Sequence, residues 1–339
     1  MAGNVQIGDG LVKRRRRRRK RRGIRAGAVF FLVLAGGILT AAALTRLDSP
    51  YDFSERNAFY ALGQTDTAVP FAHNLCVPSQ ETIWEEELEA EAAAVFDLSD
   101  KEVIVGKNLY ETLYPASITK TMTALLAIKY GNLDDMVTVT EEAVITEPGS
   151  TLCGIKPGDQ LTMEQLLYGL MIPSGNDAGA AIAVHMDGSI EAFAQRMNEE
   201  AKRLGATQTH FVNPHGLPDE NHYTTAYDLY LIFNEALKYP QFREIIGTKS
   251  YTADYRGTNG QKVSRTWEAG NWYMTGQDSM PDALTPLGGK TGTTKAAGNC
   301  LIMGSRDFAG SEYISVILKA PNRQKLYDNM DEILDKIVD

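Results

Sequence analysis

An α+β domain whose sheet is assembled from both ends of the folded region is the fold class this sequence predicts. Three observations point to it. Strand-like patterns stand early, in EAAAVFDLSDKEVIVGKN (residues 91–108), and return after residue 250 in KSYTADYRG, CLIMGSRDF and YISVILKAP. Helical spacing of apolar residues dominates the stretch between them. Strands and helices therefore segregate instead of alternating, which favours an antiparallel sheet flanked by helices, with a mostly helical subdomain in the middle.

The chain has 339 residues and is 43% hydrophobic, enough for one large domain or two ordinary ones. Its net charge of -9 is unevenly spread: residues 1–25 hold eleven of the 34 Lys and Arg but one acid, Asp9. The basic run Lys13–Arg22 is followed by AGAVFFLVLAGGILTAAAL, Ala26–Leu44, which carries no charge. About twenty apolar residues span a bilayer as a helix, and basic residues beside such a span stay on the cytoplasmic side. The expected order is a basic cytoplasmic segment (1–25), a transmembrane anchor (26–44), a linker or lead-in (45–85) and a folded domain (86–339) outside the cytoplasm. Ala41 and Ala43 also offer a cleavage site, so secretion after signal removal is the competing expectation. The arginine run could instead suit a nucleic acid, but the apolar span behind it makes membrane retention the simpler account.

Within the domain, apolar runs Ala92–Phe96 and Val103–Val105 about the turn-like LSDKE predict a hairpin. The stretch HNLCVPSQETIWEEELEAEAAA ahead of it reads as a solvated, partly helical lead-in. After Pro115, Met122, Ala124, Leu125 and Leu126 recur at helical spacing, predicting a helix that starts near Ser117. Thr162 and Gln165 stand at capping-box spacing before an apolar run. Ile190, Phe193, Met197 and Leu204 share a helical face that stops at Gly205. TAYDLYLIFNEALKYP predicts an amphipathic helix closed by Pro240, and Leu326, Met330, Ile333, Leu334 and Ile337 mark a final one. Cys76, Cys153 and Cys300 have no metal-like spacing, and their odd number allows at most one disulfide without saying which. Cys300 is expected to pack as a small apolar residue.

Three short motifs carry chemistry. Ser117 and Lys120 are three apart, so a helix sets them on one face. An ammonium beneath a helix N-terminus is disfavoured by the dipole, and burial lowers its pKa further. A neutral amine beside a hydroxyl is a base next to a nucleophile. Alone, the pair reads more simply as an N-cap serine and a surface lysine. The second motif is Ser174-Gly175-Asn176, where glycine lets the chain turn between two polar side chains. The third is Lys290-Thr291-Gly292-Thr293, a cation and hydroxyls for an anion, with a glycine that admits a substrate backbone. A phosphate loop is excluded there, because Leu284 stands where its first glycine is required.

Ser-x-x-Lys, Ser-Gly-Asn and Lys-Thr-Gly in this order resemble the motif set of penicillin-binding proteins and class A β-lactamases. From about Glu86 to Asp339 the chain resembles a low-molecular-mass penicillin-binding protein of the serine-type D-alanyl-D-alanine carboxypeptidase family, peptidase S11-like. FVNPHGLPDENHYTTAYDLYLI and KTGTTKAAGNCL match that family too. The resemblance implies a β-lactamase/transpeptidase-like fold and no cofactor. It implies Ser117 as the nucleophile on the penultimate D-alanine, Lys120 as its base and Ser174 as a proton relay to the departing amine. Asn176 would hold Lys120 and the substrate amide. Lys290 and Thr291, on the strand with Gly292, would bind the terminal carboxylate. The N–H groups of Ser117 and Thr293 would form the oxyanion hole. Peptidoglycan stem peptides become the expected substrates, β-lactams the covalent inhibitors, and the membrane a partner through the N-terminal apolar segment; no nucleic acid is expected. Family members usually add a β-rich second domain and a C-terminal anchor helix. Here one helix's worth of chain follows YISVILKAP, so the N-terminal segment is expected to anchor instead.

Three rivals remain. A class A lactamase needs a carboxylate for deacylation, commonly in Glu-x-x-Leu-Asn, and no such pattern lies between Ser174 and Lys290. A zinc peptidase on His210, His215, His222 and Asp228 lacks the tight pairing zinc sites use. A transpeptidase or low-turnover sensor would share every motif.

Overall fold

The computed structural model describes residues 75–85 and 87–338, which belong to one compact unit, Phe71–Asp339. The basic and apolar runs expected as cytoplasmic segment and membrane anchor lie outside the described residues. Among the described ones, no helix is long and apolar enough to cross a membrane.

Among the described residues ten strands form two sheets. In chain order they are β1 (Val77–Trp84), β2 (Ala92–Asp97), β3 (Glu102–Lys107), β4 (Met136–Thr138), β5 (Gln160–Thr162), β6 (Ser250–Arg256), β7 (Lys262–Glu268), β8 (Leu284–Thr294), β9 (Gly298–Asp307) and β10 (Glu312–Ala320). The larger sheet has the order β1-β3-β2-β10-β9-β8. Early β2 is hydrogen-bonded to late β10, with Phe96 opposite Ile314 and Ala92 opposite Leu318. The sheet is thus built from the two ends of the folded region, as expected. Its two faces follow the two-residue side-chain period. Ala92, Ala94 and Phe96 face the main helical core, while Ala93 and Val95 face the C-terminal helix.

Two corrections concern this sheet. It is mixed, not wholly antiparallel, because β1 pairs parallel to β3. And β1 occupies residues read as a solvated lead-in. Of its eight residues only Thr82 is buried, while Val77, Ile83 and Trp84 are exposed. An edge strand bonded on one side needs no apolar alternation, which is why periodicity missed it. Backbone pairing holds it instead, Val77 opposite Glu102 and Trp84 opposite Gly106.

The helices are α1 (Lys120–Tyr130), α2 (Met163–Met171), α3 (Asn176–Asp187), α4 (Ile190–Leu204), α5 (Ala226–Ala236), α6 (Pro240–Gly247), α7 (Trp272–Thr275) and α8 (Arg323–Val338). In α1, Lys120 through Ala127 are all buried, so it is a central helix wrapped by others instead of an amphipathic surface one. The capping box before α2 is present: Gln165 N–H donates to Thr162 Oγ1 at 3.1 Å, and Thr162 N–H donates to Gln165 Oε1 at 3.0 Å. Gly205 ends α4 in the left-handed region, at φ 83°. Pro240 corrects a boundary. α5 ends at Ala236, and Pro240 opens α6, where its missing N–H is not needed.

The second sheet, β4-β5-β6-β7, holds the KSYTADYRG strand expected in the main one. Its partner β7 has one buried residue, Trp267, and gives no apolar signal. That tryptophan indole N–H donates to the Cys153 C=O at 3.0 Å, so this small sheet buttresses the loop before α2. All three cysteines are buried free thiols; no disulfide forms.

Candidate active site

Ser117 lies in a short 3-10 turn, Ala116–Thr119, that runs directly into α1. No side chain caps either helix start, so the Ser117 hydroxyl is not spent on the backbone. It lies 2.9 Å from Lys120 Nζ. The turn is supported from below by Gly216, at φ 87°, where a Cβ would fall 1.8 Å from the Ala116 C=O oxygen. Only glycine satisfies both the dihedral and the space.

Lys120 is fully buried, a rare state for a lysine. Burial pushes its pKa well below the ordinary range, and the Lys290 charge adds to this, opposed by Asp177. Its nitrogen has three partners: Ser117 Oγ at 2.9 Å, Asn176 Oδ1 at 2.7 Å and the His215 C=O at 2.7 Å. The last two can only accept. A neutral amine has two N–H bonds and one lone pair. In its neutral form the amine would give both N–H bonds to Asn176 and His215 and turn its lone pair to the Ser117 hydroxyl proton.

Ser174 and Asn176 arrive from the connection between α2 and α3. Ser174 carries the positive φ, 69°, and its hydroxyl makes no hydrogen bond among the described residues. Gly175 is needed for a different reason from the expected turn. Its φ is −64°, but a Cβ there would lie 2.7 Å from Cys153 Cβ and 2.7 Å from the Gly169 C=O. Buried Asp177, which no motif singled out, receives the N–H groups of Cys153, Gly154 and Ile155 at 2.9, 2.8 and 3.2 Å. It pins the loop beside Asn176. Both of its oxygens are thereby engaged, which leaves this carboxylate unsuited to activate a water.

The Lys290-Thr291-Gly292-Thr293 segment lies on β8, at the free edge of the large sheet among the described residues. A Cβ on Gly292 would sit 2.9 Å from the Ser117 nitrogen and 3.0 Å from the Pro115 C=O, so strand and nucleophile turn touch backbone to backbone. The Thr293 amide is next in the chain. Buried Lys290 donates to the Thr291 C=O at 2.8 Å, and burial, reinforced by the charge of Arg323, brings its pKa down to about 7. Arg323 is a second cation that sequence patterns did not single out. Its guanidinium stacks 5.2 Å over Trp272 and donates to the Gly270 C=O, and Gly270 in turn lies beside Thr291 Oγ1. Nothing in NRQKLYDNM signals this; the placement comes from α8 packing under the sheet.

The Lys290 value has a kinetic consequence. A carboxylate-bearing ligand needs the ammonium form, which is lost as pH rises through about 7. We expect kcat/KM for a peptide acid to fall on the alkaline side, and the Lys290→Arg variant to shift that limb upward, since guanidinium stays charged. A pH profile of both proteins checks this.

The histidines of the zinc alternative are otherwise occupied. His222 Nδ1 accepts from Val212 N–H at 3.2 Å, which makes Nε2–H the donor to Thr119 Oγ1 at 2.8 Å. Burial holds its pKa down to about 4. His215 Nδ1 accepts from Leu217 N–H at 3.3 Å. Among the described residues, no three His, Cys, Asp or Glu are grouped to hold a metal.

Comparison with known proteins places the chain in a family. The family profile described as D-alanyl-D-alanine carboxypeptidase, peptidase S11, matches residues 79–322. The chain is 32% identical over 253 residues to D-alanyl-D-alanine carboxypeptidase DacF of Bacillus subtilis (strain 168), covering 73% of this chain and 61% of that protein. It is 36% identical over 211 residues to DacB2 of Mycobacterium tuberculosis (strain ATCC 25618 / H37Rv), covering 61% and 67% respectively. Against DacC of Escherichia coli (strain K12) the chain covers 63% of the relative's length, so it spans about two thirds of these relatives or less. The Streptomyces K15 DD-transpeptidase crystal structure superposes with a TM-score of 0.69 at 26% identity, covering 74% of this chain and 98% of that one. The D-alanyl-D-alanine carboxypeptidase structure from Mycobacterium tuberculosis H37Rv gives a TM-score of 0.66 at 26% identity, covering 76% and 94%.

Proposed function

The chain belongs to the D-alanyl-D-alanine carboxypeptidase family, peptidase S11, and we propose that it removes the terminal D-alanine from peptidoglycan stem peptides through an acyl-enzyme on Ser117. The observation that carries this is the buried Lys120 amine, held by Asn176 Oδ1 and the His215 C=O within 2.9 Å of the serine hydroxyl. In the first step Lys120 takes the Ser117 proton as the oxygen attacks the penultimate carbonyl. The carbonyl oxygen becomes negative between the N–H groups of Ser117 and Thr293, donors of a kind worth about two to three orders of magnitude in rate. Ser174, whose hydroxyl has no partner among the described residues, passes a proton to the departing amine. Lys290, Thr291 and Arg323 receive the terminal carboxylate, a charge-assisted contact that offsets the burial of a cation. Asn176 holds Lys120 and, through its amide, the substrate backbone. Water then attacks the ester with Lys120 again as base. The same serine is the site of β-lactam acylation.

The basic run and the uncharged apolar run at the N-terminus support attachment to the membrane with the domain on the extracytoplasmic side, where stem peptides are. Transpeptidation is the second reading, favoured by the likeness to a structure named a DD-transpeptidase; an amine would replace water as acceptor. The deciding assay incubates the protein with a fluorescent penicillin and, separately, with a D-alanyl-D-alanine peptide. A stable label mapped by mass spectrometry to Ser117, with free D-alanine released, supports the carboxypeptidase. A label lost within seconds indicates a lactamase. A labelled protein that transfers the peptide to an added amine and releases D-alanine only then is the transpeptidase. The absence of any label rejects the acyl-serine reading.

A further inference from the structure

We propose that Asn271 is a positioning residue for carboxylate recognition: one water, bound in the cavity that Asn271 shares with Lys290, links the asparagine amide to the lysine and keeps the ammonium turned to the substrate's terminal carboxylate. The inference rests on the reading of Lys290 as the carboxylate's partner in an acyl-serine enzyme. Asn271 stands between β7 and α7 and is 5% exposed. Its Oδ1 accepts the Tyr273 N–H at 3.1 Å, as the N-cap of α7. The Tyr327 hydroxyl accepts the Trp272 N–H at 2.8 Å and turns its own proton to the same Oδ1, 3.4 Å away. These two donors settle which end of the amide is oxygen. The other end, Nδ2, is buried and has no hydrogen-bond partner among the described residues. Buried donors left unmet are costly. A capping role does not call for them, because serine, threonine or aspartate would cap α7 equally well.

The cavity is lined by Asn271 and Lys290, by the end of α2 at Met171 and Ile172, and by the last turn of α6 at Ile245 and Ile246. Its free space of about 20 Å³ exceeds the ~10–15 Å³ that one water needs. Lys290 is 2% exposed, makes no ion pair among the described residues and donates to one acceptor, the Thr291 C=O. An ammonium has three N–H bonds. One goes to Thr291 and one to the substrate carboxylate, which leaves a third. A water oxygen has two lone pairs, so it can accept from Lys290 and from Asn271 Nδ2 together. Its own protons need acceptors, and a helix leaves its last carbonyls without partners inside it. Both α2 and α6 end at this cavity. The negative ends of their dipoles also favour a cation there.

The test compares acylation of Ser117 by benzylpenicillin and by its methyl ester, followed by mass spectrometry on the full chain. The ester lacks the carboxylate that Lys290 receives, so the ratio of the two rates reads carboxylate recognition apart from attack. Wild type should favour the free acid about 10- to 100-fold, the value of a charge-assisted contact. Asn271→Ser and Asn271→Asp both keep an oxygen to cap α7 and lose the amide donors. Asn271→Ser should cut the ratio about fivefold or more. Asn271→Asp should cut it too. It should also move the alkaline limb of benzylpenicillin acylation above about 7, because a carboxylate near Lys290 holds the ammonium form. A residue that only caps α7 would leave that limb in place. An unchanged ratio in Asn271→Ser, or an Asn271→Asp limb at the wild-type pH, overturns the proposal. So does a wild type that treats acid and ester alike or is labelled by neither. A wild-type crystal structure with no water in hydrogen-bond reach of both Asn271 Nδ2 and Lys290 Nζ overturns the bridge. D-alanine release is followed in parallel. If wild type releases none but the ratios behave as expected, the carboxypeptidase reading fails and the role of Asn271 stands.

Discussion

Lys120→Met is expected to slow acylation of Ser117 by a fluorescent penicillin about 10³-fold or more, with D-alanine release falling in step. Methionine keeps the length and apolar stem of the side chain but has no lone pair basic enough to take the serine proton. The comparison that isolates the cause is Lys120→Arg. A guanidinium preserves positive charge and hydrogen-bond donors but does not deprotonate. If Lys120 acts as a neutral base, as its burial and its three partners indicate, arginine should be as inactive as methionine. If it acts through charge alone, arginine should keep activity within about tenfold. The pH profile gives a second readout. Acylation of the wild-type protein by a neutral ester should fall on the acid side, where the amine gains its proton, and that limb should vanish in either variant. Because both variants disturb buried acceptors on Asn176 and His215, folding is to be verified by circular dichroism before rates are compared.

Gly292→Ala is expected to lower acylation by about 10²–10³-fold while the protein still folds. The added methyl would meet the Ser117 nitrogen at 2.9 Å, Ala116 Cβ at 3.0 Å and the Pro115 C=O at 3.0 Å. Two of these three are backbone atoms and cannot rotate aside, so β8 and the nucleophile turn must separate. The N–H groups of Ser117 and Thr293 would then no longer converge on one oxygen, and oriented donors lose their value quickly with displacement. Overpacking of this kind costs about 1–3 kcal/mol of stability, so a modest fall in Tm should accompany the loss. Acylation at the wild-type rate in a variant with that Tm shift would show that the close approach does not set the oxyanion position.

Most features legible in the sequence share one property: they are settled by residues close together in the chain, the pairing of early β2 with late β10 being the exception. The Thr162–Gln165 capping box, the Gly205 stop and the Ala92–Val105 hairpin arise from local hydrogen bonds and periodic burial. The three motifs were readable because each lies within one short segment of chain. Where reading by local pattern failed, the stabilising partner was remote. β1 buries only Thr82, and its strand form comes from pairing with β3. The strand at residue 250 joined a second sheet because β7, with only Trp267 buried, was its true neighbour.

The sequence by itself therefore determined the family, the α+β class and the short segments that carry the chemistry. The tertiary structure decided what those segments are able to do. A lysine becomes a base only when packing removes water from it and supplies acceptors for both its N–H bonds, and those acceptors come from the Asn176 and His215 segments. A strand glycine becomes part of an oxyanion site only when the Ser117 turn is pressed against it. Arg323 beside Lys290, and the Cys153 backbone held in place by Asp177 and Trp267, likewise depend on segments far apart in the chain. Desolvation and contact are properties of packed neighbours, and no spacing along one chain segment encodes them.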